Sequence, residues 1–261
     1  MDLNGHVAIV TGGSRGIGKG IVLALAKRGV KVVVAARTGH EGARLPGTIH
    51  ETVQEVEAAA GTALAVQCDI TSDESVEAMV AQTVETFGRV DLLVNNAGVN
   101  FLAPLAEMPM KRWDLVMNVN LRGAVLCSKA VIQQMQKQGS GQIIHITSVW
   151  GRNWVINQAA YCVSKAAIER LTSVMAEELG PFGILVNCLG PAGGVLTEGV
   201  AKVYEHSEKD KWRSTEAFAE DLVLLVDTAS PRFSGRILDD EELRAYVEFA
   251  KLVPDSKAIL G

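Results

Sequence analysis

The stretch Val7-Ala8-Ile9-Val10-Thr11-Gly12-Gly13-Ser14-Arg15-Gly16-Ile17-Gly18 decides the fold. Four apolar residues in a row read as a short buried strand, and the threonine and glycines that follow end it. A helical pattern then runs over residues 17–28 and stops at Gly29. Between the two lies Gly-x-x-x-Gly-x-Gly, made by Gly12, Gly16 and Gly18. Glycine lets a backbone turn sharply and lets a pyrophosphate approach the amides at a helix N-terminus. Strand, glycine turn and helix in that order favour nucleotide binding over a merely structural turn.

Working outward, the same alternation continues. Residues 31–36 are a β-branched strand, 48–60 a helix closed by Gly61, and 63–66 a strand. Helix 72–87, strand 91–94 and a long helical region 109–138 follow. Strands 143–146 and 184–186 flank the helix that carries Tyr161. Short, continuously apolar strands alternating with helices predict a parallel sheet covered on both faces. The expected fold is α/β, a single Rossmann-type doubly wound domain over residues 1–261 with helices on both faces. One compositional break, residues 38–47, is rich in glycine and charge and reads as a loop insertion.

Bulk properties exclude several classes. The 261 residues are 48% hydrophobic and 21% charged with a net charge of -5, which suits a globular protein and not a general nucleic-acid or anionic-membrane binder. No apolar run approaches the roughly 18 residues that span a bilayer, and the N-terminus shows no signal-peptide pattern. Cys68, Cys127, Cys162 and Cys188 are scattered, with no Cys-x-x-Cys pair. That pattern predicts reduced thiols, a cytoplasmic location and no metal site.

The second strand selects the nucleotide. It ends Ala35-Ala36-Arg37, without the carboxylate that bonds the ribose hydroxyls of NAD. Arg37, with Arg15 from the glycine loop as a second cation, can pair with a 2′-phosphate, so NADP(H) is favoured over NAD(H).

Tyr161 and Lys165 stand four residues apart, on one face of a helix, and Ser148 lies thirteen residues before the tyrosine. An ammonium beside a phenol favours the phenolate, which suits the tyrosine to proton transfer near neutral pH. Alone, Tyr-x-x-x-Lys is common and also fits an exposed lysine one turn from a half-buried tyrosine.

Taken together, the glycine loop, Asn95-Asn96-Ala97-Gly98 after the fourth strand, Asn120, Ser148 and Tyr161-x-x-x-Lys165 resemble the short-chain dehydrogenase/reductase family in order and spacing, over residues 3–238. The resemblance implies that Tyr161 is the acid/base and that Ser148 holds the substrate oxygen. Lys165 then assists Tyr161 and binds the nicotinamide ribose, and Asn120 supports a proton relay. It implies cofactor contacts from Gly12, Ser14, Arg15, Gly16, Ile17 and Gly18, from Arg37, Asp69 and Ile70, and from Asn96, Ala97 and Gly98. Tyr161, Lys165, Pro191 and Thr197 complete that set. It also implies a homodimer or homotetramer acting on a small-molecule substrate.

Two departures stand out. Ala192 replaces a glycine after Pro191, with one extra residue before Thr197, and the usual Asp-Gly-Gly close of the last strand is absent. The run Ser234-Gly235-Arg236-Ile237-Leu238-Asp239-Asp240-Glu241-Glu242-Leu243 stands there instead, opening an atypical extension over 239–261. Together with Leu45-Pro46-Gly47-Thr48-Ile49 and Lys111-Arg112-Trp113-Asp114-Leu115, it resembles the branch of hydroxysteroid-dehydrogenase-like 2 and 3-oxoacyl reductase-like proteins.

A substrate lid is expected over about 192–217, carrying Tyr204, Trp212, Glu205, Glu208, Lys209, Asp210 and Lys211. Trp150, Trp154, Phe101 and Leu102 suggest an apolar pocket wall for a hydrophobic ketone, a steroid-like molecule or an acyl chain. His145 reads as a core histidine. The expected activity is interconversion of a carbonyl and a secondary alcohol. The competing reading is a catalytically weak, nucleotide-sensing protein of the same fold.

Overall fold

The computed structural model describes residues 3–39, 46–203 and 212–252. Seven strands form one parallel sheet: β1 (Val7–Thr11), β2 (Lys31–Ala36), β3 (Ala63–Gln67), β4 (Leu92–Asn95), β5 (Gly141–Ile146), β6 (Ile184–Gly190) and β7 (Ile237–Asp239). Their order is β3-β2-β1-β4-β5-β6-β7, so the winding reverses between β1 and β4. In a doubly wound sheet, ligands bind beyond the strand C-termini at that switch point. The glycine loop after β1 and Asn96 after β4 both lie there.

Both faces are covered because the strands are apolar on both sides. One face packs α1 (Gly16–Ala26), α2 (Ile49–Ala58) and α9 (Thr215–Thr228), burying Ile21, Leu25, Phe218 and Leu222. The other packs α3 (Asp73–Phe87), α5 (Gly123–Gln138) and α7 (Ala159–Leu179) over Met79, Val131, Met135 and Met175.

Helix ends follow local chemistry. Thr48 caps α2 in a reciprocal capping box with Glu51. Ser72 caps α3, which stops at Gly88 in the left-handed conformation. Between α4 (Met110–Met117) and α5, residues Asn118–Arg122 widen into a π-turn. Within the continuous helix Met110–Gln138, an 18-residue window has a mean hydropathy of 1.3, so the helix is long and apolar enough to cross a membrane by length and composition alone. Here its apolar face, with Val119, Cys127, Val131 and Met135, is buried against the sheet, as a core helix requires.

Two elements differ from the sequence reading. The strand expected at 184–186 runs on to Gly190 as β6. Its polar Asn187 is buried because its side chain bonds Phe233 O at 3.0 Å and accepts from Arg236 N at 2.9 Å, so burial costs no unpaired group. Of the lid expected at 192–217, residues 215–217 are the first turn of α9, capped by Ser214. Tyr204, Glu205, Glu208, Lys209, Asp210 and Lys211, with Leu45 and residues beyond 252, lie outside the described residues.

Candidate active site

An open cleft with about 1110 Å³ of empty volume lies over the switch point. Its lining includes Gly12, Ser14, Arg15, Gly16, Ile17 and Gly18 from the glycine loop, Arg37 from the end of β2, and Asp69 and Ile70 after β3. Asn96, Ala97 and Gly98 line its floor, and Thr197 its far side.

The cradle has no room for side chains at its critical point. A Cβ on Gly18 would collide with the carbonyl oxygen of Gly12, and Gly12 itself has φ +69. The first turn of α1 has no side-chain cap and no acidic residue of its own, the nearest carboxylate being Glu198, whose Oε2 lies 3.6 Å from where a Cβ on Gly16 would stand. Below it, Asn96 Nδ2 donates to Thr11 O at 2.9 Å, while Thr11 Oγ1 accepts from Asn96 N at 3.1 Å and Ala97 N at 3.2 Å. These bonds tie β1 to β4 at the switch point. The residues therefore fit a dinucleotide: a glycine cradle, a helix start without a side-chain cap and a rigid floor.

At the end of the cleft beyond β2 and β3, Arg37 is exposed and Asp69 lies close enough to feel its charge. Asp69 accepts from Thr71 N at 3.0 Å and Thr71 Oγ1 at 2.8 Å. The Thr71 amide bond, with Arg37 nearby, holds the Asp69 carboxyl below its ordinary range. Arg15 is less free than its position in the sequence suggests. Its guanidinium donates to Gly47 O at 2.7 Å and Thr38 Oγ1 at 3.1 Å, tying the insertion to the glycine loop.

Lys165 anchors Tyr161 at the end of β5, with Asn120 across Gly98 from the lysine and Ser148 two residues beyond the strand. Lys165 is buried, and its ammonium donates to Ile146 O at 2.7 Å while lying 5.6 Å from the centre of the Tyr161 ring. Burial pulls the Lys165 pKa down to about 8. Tyr161 is half-buried on the same face of α7. Ser148, two residues past β5, caps α6 (Val149–Arg152), its Oγ accepting from Trp150 N at 3.3 Å. Asn120 sits in the π-turn, where its side chain bonds both backbone groups of Val99, accepting at 2.8 Å and donating at 2.9 Å, and reaches Ser164 Oγ at 3.0 Å. Gly98 joins the two halves: a Cβ there would stand 3.4 Å from Asn120 Oδ1 and 3.8 Å from Lys165 Nζ. Pro191 directly follows Gly190, whose Cβ position is 3.0 Å from Ser148 N, so the end of β6 packs on the serine.

Buried carboxylates escaped the sequence reading, Glu169 and Asp240 among them. Glu169, one turn beyond Lys165, accepts from Thr147 Oγ1 at 2.8 Å, and burial pushes its pKa up. Tyr161, Lys165 and Glu169 at i, i+4 and i+8 was the available signal. Asp240 is fully buried and accepts from Ala192 N at 2.8 Å; nothing local in the sequence marks it. His145 is buried on β5, its Nδ1 3.2 Å from Asn95 Nδ2, and burial drops its pKa to about 4.

Trp150 and Phe101 are half-buried, and Leu102 is exposed. Trp154 is 82% exposed and Ile156 72% exposed, on the loop between Ser148 and Tyr161.

Residues 6–208 match the family model for short chain dehydrogenases. The chain is 38% identical to the short-chain reductase protein NovJ of Streptomyces niveus, covering 98% of this chain and 90% of that one. It is 36% identical to hydroxysteroid dehydrogenase-like protein 2 of Xenopus tropicalis over 92% of its own length, but spans only 58% of that relative. Among solved structures, a candidate NAD(P) dependent gluconate 5-dehydrogenase from Beutenbergia cavernae, with NADP bound at low occupancy, superposes with a TM-score of 0.82 at 32% identity. The superposition covers 92% of this chain and 96% of that one.

Proposed function

Because this chain belongs to the short-chain dehydrogenase/reductase family, we propose that it interconverts a carbonyl and a secondary alcohol using NADP(H), with Tyr161 as the acid/base. The observation that carries the reading is the placement of Lys165, buried at the end of β5 with its ammonium 2.7 Å from Ile146 O and beside the Tyr161 ring.

Bound in the cleft, the nicotinamide would supply or accept the hydride. Gly12, Ser14, Gly16, Ile17 and Gly18 would hold the pyrophosphate, Arg37 with Arg15 the 2′-phosphate, and Asp69 with Ile70 the adenine. Asn96, Ala97 and Gly98 would form the floor, with Pro191 and Thr197 at the nicotinamide end. Arg37 and the lack of a carboxylate at the end of β2 support the NADP(H) preference.

Reduction builds negative charge on the substrate oxygen, so proton and hydrogen-bond donors must converge there. Tyr161 gives that oxygen its proton, and in the reverse direction removes the hydroxyl proton. Ser148 Oγ already accepts from Trp150 N, which leaves the hydroxyl proton for donation to the substrate oxygen. The Lys165 ammonium stabilises the phenolate that proton transfer leaves behind. Asn120, clamped to Val99, keeps the floor and the π-turn in register, next to the route by which a proton returns.

The exposed Trp154, Ile156 and Leu102 support a hydrophobic ketone, steroid-like or acyl substrate. A homodimer or homotetramer in the cytoplasm completes the reading. The test is an NADPH-coupled screen against steroids, 3-oxoacyl thioesters, aromatic ketones and sugars, with Tyr161→Phe as control. Turnover in the wild type and a loss of roughly 10²–10⁴-fold in the variant are expected. Full activity in Tyr161→Phe would refute the acid/base assignment.

A further inference from the structure

The two places where the sequence leaves the family pattern, the segment after Pro191 and the acidic run after Leu238, meet in the fold. β7 runs directly into α10 (Asp240–Leu252). At that junction Asp239 Oδ1 accepts from Glu242 N at 2.8 Å, and Glu242 Oε2 accepts from Asp239 N at 2.8 Å. This reciprocal capping box makes a stiff corner.

Asp240, inside the corner, is fully buried, and its partners come from the segment after β6, from Arg213 and from α10 itself. Oδ1 accepts from Ala192 N at 2.8 Å, and Oδ2 pairs with the Arg213 guanidinium. Arg213 also bonds Asp221 at 2.6 Å, and Arg244 reaches Asp221 at 2.7 Å and Asp240 at 3.8 Å. Two carboxylates and two guanidiniums balance, which is how buried charge is tolerated. Arg213 N donates to Gly194 O at 3.0 Å, and Leu196 N to Arg213 O at 2.9 Å. The two ends of the segment between 196 and 213 are thus joined at their base, on Asp240.

The outer side of the corner grips the other wall. Arg152 donates to Glu242 at 2.9 and 3.0 Å and approaches Asp239 at 3.5 Å. Arg152 is the last residue of α6, a four-residue helix whose N-cap is Ser148. In so short a helix, holding one end orients the other.

We propose that the Asp239–Glu242 corner is a positioning element for the active site, with Asp240 registering the segment after Pro191 and Glu242 the helix that starts at Ser148. The proposal rests on Ser148 and Tyr161 being the reacting centre. It assigns a task to the atypical extension and explains why both departures occur in one chain: an altered segment at 191–197 needs its amide and Arg213 tied down, and Asp240 ties both.

Asp240→Asn and Glu242→Gln test it, with amide exchange, 2′,5′-ADP binding and NADPH reduction of 9,10-phenanthrenequinone as readouts. In Asp240→Asn, exchange at the amides of Ala192 and Leu196 should rise about tenfold or more, because a local opening becomes easier. The quinone KM should rise roughly fivefold with kcat changed far less, while 2′,5′-ADP, held at the distant adenosine end, binds within about twofold of wild type. Glu242→Gln should speed exchange at Gly151 and Asn153, whose amides close the turns of α6 on Ser148 O and Val149 O. Native exchange in both variants overturns the proposal, as does weakened 2′,5′-ADP binding in step with the quinone. Should Asp240→Asn not fold, native exchange in Glu242→Gln is sufficient to overturn it. A wild type with no turnover on any carbonyl counts against the proposed function instead, and the exchange measurements still decide the corner.

Discussion

The ammonium of Lys165 lies 2.7 Å from the carbonyl oxygen of Ile146, the last residue of β5, two residues before Ser148. The sheet itself, through a strand-end carbonyl, holds the lysine under Tyr161. The same burial that orients Lys165 makes its charge costly, and that cost is measurable.

Lys165→Met is expected to lose activity and change the pH dependence of stability. Burial brings the folded pKa from its ordinary 10.5 to about 8. The unfolded chain therefore binds more protons between those values, and wild-type stability rises with pH across that window. Below about pH 8 the protonated, buried lysine costs on the order of 3 kcal/mol. Urea denaturation at pH 7 and at pH 10.5 should show the stability difference between wild type and variant shifting toward wild type by about that amount. An unchanged difference would mean that Lys165 is not desolvated.

Arg37→Asp should reverse nucleotide choice. Arg37 is exposed on the cleft rim, so removing it costs little stability, within about 0.5 kcal/mol. Replacing a cation by a carboxylate at the 2′-phosphate should weaken NADPH by about 2–3 kcal/mol while sparing or improving NADH. Paired fluorescence titrations with the two nucleotides read this directly. A variant that still prefers NADPH would place the selecting group elsewhere.

Gly18→Ala should abolish nucleotide binding. The added methyl meets the Gly12 carbonyl oxygen and lies near the Asn96 amide, both backbone-anchored parts of the cradle. The loop must move to admit it, with an expected overpacking cost of about 1–3 kcal/mol in stability and a larger loss in NADPH affinity. Calorimetry with NADPH and a thermal melt separate the two effects. Native affinity would show that this loop is not the pyrophosphate site.

His145 should make the fold acid-sensitive well above the carboxylate range. Its pKa falls from 6.5 to about 4 because burial opposes the imidazolium, with the Lys165 charge adding to that. Stability is full above pH 6.5 and declines as pH falls toward 4, since the unfolded chain takes the proton first. The loss is about 3 kcal/mol over that interval. His145→Leu should flatten this part of the curve in denaturant melts at pH 7 and 4.5. An equally steep decline in the variant would assign the acid sensitivity to other groups.

How much was legible in the sequence differs between parts of the site. The glycine loop was readable because its demands are local: a turn, a tight approach and a helix start within eight residues. Tyr161 and Lys165 were readable because helical spacing alone puts them on one face. Arg15 reads in the sequence as a second cation beside Arg37, but its bonds to Gly47 O and the Thr38 hydroxyl were not legible there, because those partners come from the insertion, more than twenty residues away. β6 was read short because apolar pattern cannot see that Asn187 finds partners at Phe233 and Arg236. Glu169 and Asp240 look like ordinary surface acids along the chain, and become buried only when α7 meets β5 and α10 meets the segment after β6.

By itself, the sequence determined the fold class, the glycine loop between the first strand and first helix, and the family, since these follow from period, glycine placement and motif order. Only the tertiary structure decided which charges are buried, what neutralises them, and that the unusual tail braces the unusual segment after Pro191. Burial and through-space pairing depend on elements brought together from distant parts of the chain, and no local pattern encodes those encounters.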